Sequence, residues 1–127
     1  MTDAFNRRYP PLASWSQSID ATFYAPPEPM TPSDRERCLI AMLTCTGAAL
    51  PLGIHMYWGL MEGLSLNEIA SIAALAAVYA GVPKLVTGFA VMEIVAKTLR
   101  DLGEGDALGP AQVVAALVTQ LPAHRGS

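Results

Sequence analysis

His55 and Glu36 are the residues of this chain best suited to move a proton. The run from Cys38 to Met61 contains no Lys, Arg, Asp or Glu, so the imidazole is the one readily titratable base inside it, and Glu36 is the last acid before it begins. Burial disfavours a charged imidazole and a nearby carboxylate restores it, so such a pair can work as an acid/base couple near neutral pH. Two readings of His55 are open at this point: proton transfer, or a core histidine satisfied by one hydrogen bond. Glu36 is open in the same way, since an acid in the first turn of a helix is also favoured by the helix dipole alone.

Composition narrows the classes. The chain has 127 residues, of which 52% are hydrophobic and 15% charged, more apolar than an average soluble domain of that size. A small domain cannot bury that much apolar surface alone, which predicts a homo-oligomer. The formal charge is -3, and only eight Lys and Arg are scattered along the chain, leaving no basic stripe of the kind that neutralises phosphates. Nucleic acid is therefore excluded as an expected partner. Cys38 and Cys45 show no CxxC and no zinc-type spacing, so neither a metal nor a cofactor is expected. On one helix they stand about 10.5 Å apart along the axis, too far for an internal disulfide, and they read as buried free thiols. With no apolar signal-peptide core in the first residues, the expected location is the cytoplasm.

The elements that must position the pair read as helices with clear punctuation. Residues 1–30 hold Pro10, Pro11, Pro26, Pro27 and Pro29 and read as an extended arm with at most a short helix near Ser14 to Phe23. Its aromatic residues, Phe5, Tyr9, Trp15, Phe23 and Tyr24, predict packing on its own core or a neighbour's. Thr31-Pro32-Ser33-Asp34 supplies a cap, a first-turn proline and an acid, starting a helix that runs to about Ala48. Pro51 opens the next helix, ending near Gly63. The uncharged run exceeds the length that spans a bilayer, but Gly47, Pro51, Gly53 and His55 interrupt it, so it reads as two helices and not as a membrane span. Ser65 to Glu68 form a capping box, with Leu64 and Ile69 as its staple. That helix stops at Gly81-Val82-Pro83. The following one, to Leu99, is expected to bury Leu85, Phe89, Met92 and Leu99 and to pair Glu93 with Lys97. Gly103 to Gly109 is a linker, Pro110 to Leu121 a last helix, and 122–127, with His124, a polar tail. No stretch alternates with period two. The expected fold is all-α: a single-domain bundle of about six helices over residues 31–121 preceded by the arm.

On these residues a family resemblance rests. Arg35-Glu36, the apolar helix, His55, Gly63-Leu64-Ser65-Leu66-Asn67-Glu68-Ile69 and Tyr79-Ala80-Gly81-Val82-Pro83 occur in an order that resembles the carboxymuconolactone decarboxylase and alkyl hydroperoxidase D-like superfamily, over about Pro32 to Leu99. The resemblance implies an all-helical oligomer, a trimer, hexamer or larger. Its redox branch carries a glutamate followed by CxxCxxxH. Counted back from His55, the two cysteine places are Ala48 and Pro51, and the glutamate place is Glu36. A thiol-dependent peroxidase is thereby disfavoured, because neither residue can form a thiolate. The decarboxylase branch works without cysteine or metal on small cyclic carboxylates.

What this implies is a cofactor-independent lyase, isomerase or cyclase, with His55 and Glu36 catalytic and a small, largely apolar, possibly cyclic substrate. The other open reading is a non-catalytic small-molecule-binding or scaffold protein. The face of the His55 helix also carries Leu52, Trp58 and Gly59, with Trp58 as an expected aromatic wall and Gly59 as room beside it. Tyr57, Tyr79 and Cys45 complete the expected substrate contacts. Arg35, Arg37 and Lys84 are the only nearby cations to nominate for a substrate carboxylate, too few for a diacid.

Overall fold

The computed structural model describes residues 13–26, 28–103 and 109–122. The arm residues 1–12, the linker 104–108 and the tail with His124 lie outside the described residues. Six helices form, and no strand is present among the described residues: α1 Ala13–Phe23, α2 Pro32–Thr46, α3 Ala49–Met61, α4 Leu66–Ala80, α5 Val82–Leu102 and α6 Pro110–Gln120. None is long and apolar enough to cross a membrane. Contacts cluster into two units that divide between Arg35 and Glu36.

In the first unit, Thr31 caps α2 as its sequence demands: its hydroxyl accepts from the Asp34 amide at 3.2 Å. Arg35 donates to Glu28 Oε2 at 2.7 Å and to the Phe23 carbonyl at 3.0 Å, and its guanidinium lies 4.4 Å from the centre of the Tyr24 ring. Phe23 and Tyr24 themselves remain exposed in the single chain.

In the second unit, Ile40, Leu52, Met56 and Ile69 are fully buried and join Val91, Val95, Val113 and Leu117 in one core. Each such aliphatic side chain contributes about 1.5–3 kcal/mol on leaving water. Helix α5 touches α3, α4 and α6, and α3 also packs on α4 and α6. The Ser65 capping box is complete: its hydroxyl accepts from the Glu68 amide at 3.1 Å, and Glu68 Oε2 accepts from the Ser65 amide at 2.8 Å. Leu64 and Ile69, the staple, are both buried. Gly81 alone separates α4 from α5, and its φ of 101° is open to glycine at little cost, which permits so abrupt an elbow.

Helix α5 departs from its expected orientation. The buried positions are Gly88, Val91, Val95 and Thr98, whereas Phe89 is exposed. At 100° per residue this face is rotated by about 90° from the Leu85, Phe89, Met92, Leu99 stripe. Gly88 lies on the inward face, where a Cβ would meet Thr44 Cγ2 at 3.4 Å and Ala73 Cβ at 3.5 Å in ordinary van der Waals contact. Larger residues such as Met92 and Leu99 flank it, half-buried. Lys97 pairs with Asp101, one turn on, and not with Glu93. Cys38 and Cys45 are exposed, correcting their reading as buried thiols.

Candidate functional site

Helix α2 buries Glu36, Ile40 and Thr44, one residue per turn on a single face. Two of these three are polar, and both are satisfied. Thr44 Oγ1 donates to the Ile40 carbonyl at 2.7 Å within its own helix. Glu36 Oε2 meets His55 Nδ1, from α3, at 2.8 Å. A carboxylate can only accept, so Nδ1 carries the proton and the carboxylate fixes both the tautomer and the plane of the ring. Nε2 is left as the basic nitrogen, and among the described residues it has no hydrogen-bond partner.

Exposure divides the pair. The Glu36 side chain is 2% exposed and the His55 side chain 22%. The imidazole side chain is thus partly accessible where the carboxylate is not.

Gly59 makes this approach of α2 and α3 possible. It lies one turn beyond His55, and a Cβ there would stand 3.0 Å from Leu64 Cδ1, 3.1 Å from Ile40 Cδ1 and 3.8 Å from Glu36 Cβ. The space beside Gly59 is thus filled by core side chains and is not the room expected next to Trp58. Gly59→Ala asks two methyl groups to move by a few tenths of an ångström, and the gain in helix propensity offsets that cost. Gly59→Val has no such escape. It is expected to cost about 1–3 kcal/mol in a urea titration and to part Glu36 from His55. A Gly59→Val protein as stable as the parent would show that α2 and α3 are not packed this closely.

Of the other candidates, the structure brings none into hydrogen-bonding contact with His55. Leu52 and Tyr57 are buried members of the core. The Tyr57 and Trp58 rings stand 5.5 Å apart at 48°, with Trp58 half-buried against the core. Tyr79 is 86% exposed near the end of α4. Cys45 Sγ lies 3.8 Å from the Ala76 carbonyl. Arg35 is held by Glu28, and Arg37 lies 3.8 Å from Glu68 on the surface, a pairing of little energetic weight. No group of three or more potential metal-ligating His, Cys, Asp and Glu side chains exists among the described residues. The role of Gly59 and the inward face of Glu36 are the features that residue types announce least. The available signal is the four-residue register of Glu36, Ile40 and Thr44.

The sequence model of the carboxymuconolactone decarboxylase family matches residues 12–93, well over half of the chain, and the chain belongs to that family. The match begins earlier than the resemblance from Pro32 onward and takes in α1 as well as the Glu36 and His55 helices. No curated protein and no solved structure matches the chain.

Proposed function

We propose that this protein is a cofactor-independent lyase, isomerase or cyclase in which His55 Nε2 takes a proton from, or delivers one to, a small and largely apolar organic substrate, with Glu36 holding the ring. The observation that carries this reading is the 2.8 Å contact from a buried carboxylate to Nδ1 of a ring that stays partly accessible. A histidine serving only the core has no need of an accessible edge. Family membership supports the general class of chemistry, proton transfer around a lactone or enol. Ala48 and Pro51, at the places of the redox thiols, weigh against a thiol peroxidase. Arg35 is engaged by Glu28 and Arg37 lies on the surface beside Glu68, which disfavours a diacid substrate.

The experiment is conversion and carbon-bound deuterium incorporation in D₂O, followed by NMR, for a panel of β-keto acids and enol lactones. The parent protein is expected to convert or exchange at least one of them, His55→Gln to lose that activity, and the Cys38→Ser, Cys45→Ser double variant to keep it. Compounds that raise the melting temperature without conversion or exchange would instead make this a binding protein, and full activity in His55→Gln would remove the imidazole from the mechanism.

A further inference from the structure

Taking a proton from the carbon beside a carbonyl moves an electron pair onto the carbonyl oxygen, and that oxygen then needs a hydrogen-bond donor. The pair itself supplies none, because the imidazole Nδ1–H is spent on Glu36 at 2.8 Å. Donor side chains can be followed along the two helices that build the pair. On α3, the positions three and four residues from His55 are Pro51, Leu52, Trp58 and Gly59, and of these only Trp58 carries a donor. Trp58 stands about 60° round the helix from His55 and about 4.5 Å along it. Tyr57 is about 160° away and belongs to the core, 3% exposed. On α2, the Thr44 hydroxyl donates to the Ile40 carbonyl at 2.7 Å and the Thr46 hydroxyl to the Leu43 carbonyl at 3.0 Å, so both are spent on their own helix. Cys38 is exposed about 160° round α2 from Glu36, and Cys45 faces the Ala76 carbonyl. Arg37 lies beside Glu68 at 3.8 Å. Lys84 Nζ is 2.8 Å from where a Cβ on Gly47 would stand, just past the end of α2 and about 16 Å along it from Glu36.

We propose that the indole N–H of Trp58 is the donor that receives the developing oxyanion, a proposal that rests on the proton-transfer reading of His55. The Trp58 ring is half-buried and leans on Tyr57, with ring centroids 5.5 Å apart and planes at 48°, which limits its rotation. An enclosed indole N–H is usually paired, yet this one has no acceptor among the described residues. In the step it serves, His55 Nε2 takes the proton, the C–H electron pair becomes a C=C bond, and the carbonyl π pair moves to the oxygen that Nε1–H meets. The imidazolium then returns the proton to carbon and the carbonyl re-forms. A neutral donor suits an uncharged ketone or lactone oxygen and not a carboxylate, so the substrate class is a ring ketone or lactone with an acidic C–H beside the carbonyl, its ring lying on the indole face.

Replacing Trp58 by benzothienylalanine, whose sulfur takes the place of the indole N–H at nearly the same size, tests this beside Trp58→Phe. Both are expected to lower kcat for deuterium exchange by about 10²- to 10³-fold, the usual effect of losing one such donor, with KM changed by less than about threefold and far-UV circular dichroism unchanged. A second measurement does not depend on turnover: 4-nitrophenolate, an enolate mimic, is added to the ¹⁵N-labelled full chain, with nitrobenzene as the uncharged control. The indole proton resonance that Trp58→Phe removes is expected to move downfield with the phenolate and not with nitrobenzene, in the parent and in His55→Gln alike. A benzothienylalanine protein that keeps the parent's kcat would overturn the proposal while leaving the proton-transfer reading intact. So would a parent that fails to bind the phenolate, or binds it with no movement of that resonance. A parent that exchanges no panel compound but shows the downfield movement would sink the proton-transfer reading and keep Trp58 as the oxyanion donor.

Discussion

His55→Gln is expected to lower turnover by about 10²- to 10⁴-fold, the usual contribution of a positioned general acid or base, and to leave the protein folded. The glutamine amide can still donate to Glu36, so the buried carboxylate keeps a hydrogen bond at that position. Stability should fall by less than about 1 kcal/mol. His55→Ala should lose the same activity and also cost about 2–4 kcal/mol, because it strips a charge-assisted hydrogen bond from a side chain only 2% exposed. Glu36→Gln should lose turnover too, since its amide can present hydrogens to Nδ1 and favour the wrong tautomer. The measurements are urea titrations of the three variants beside their rates on whichever panel compound the parent converts. Equal stability of His55→Ala and His55→Gln would show that the 2.8 Å contact does not anchor Glu36. Equal activity of all four proteins would remove the pair from the chemistry.

The second large effect is expected at Gly53, on the part of α3 that faces α5 and α6. A Cβ there would stand 2.4 Å from Leu121 Cδ1, 3.4 Å from Val91 Cγ1 and 3.6 Å from Val95 Cγ2. The first of these distances is impossible without movement. For Gly53→Ala, the Leu121 methyl can shift, and the helix gains up to about 1 kcal/mol in propensity, so the net change is small. Gly53→Val adds two methyl groups against valines on a neighbouring helix and should cost about 2–3 kcal/mol through overpacking. Leu121→Ala alone should cost about 2–4 kcal/mol by opening a cavity. Because each change relieves the other, the double variant should be more stable than the sum of the single losses by about 1–2 kcal/mol. Strict additivity in denaturant midpoints would mean that α6 does not end over Gly53.

Helix punctuation is legible in the amino-acid sequence because it is made within a turn of chain. Thr31 with Asp34, Ser65 with Glu68, and Gly63 and Gly81 at positive φ all act through backbone groups three or four residues away. The candidate site is half legible. His55 stands out because charge is absent around it, and Glu36 because it is the last acid before that run. Their contact is not legible, because it needs Glu36, and not the exposed Asp34 of the first turn, to share the inward face with Ile40 and Thr44.

Residue types and spacing alone thus determined that the chain is helical, where most helices begin and end, and that His55 is a base in apolar surroundings. The tertiary structure decided the rest. It brought Glu36 within 2.8 Å of the imidazole, set Gly88 and not Phe89 on the inward face of α5, filled the space at Gly59 with Ile40 and Leu64, and left Leu75, Val78, Tyr79, Val82 and Val86 exposed. Caps and turns are satisfied by near neighbours in sequence. Burial depends on how closely two helices far apart in the chain can approach, and the smallest residues on each helix govern that distance.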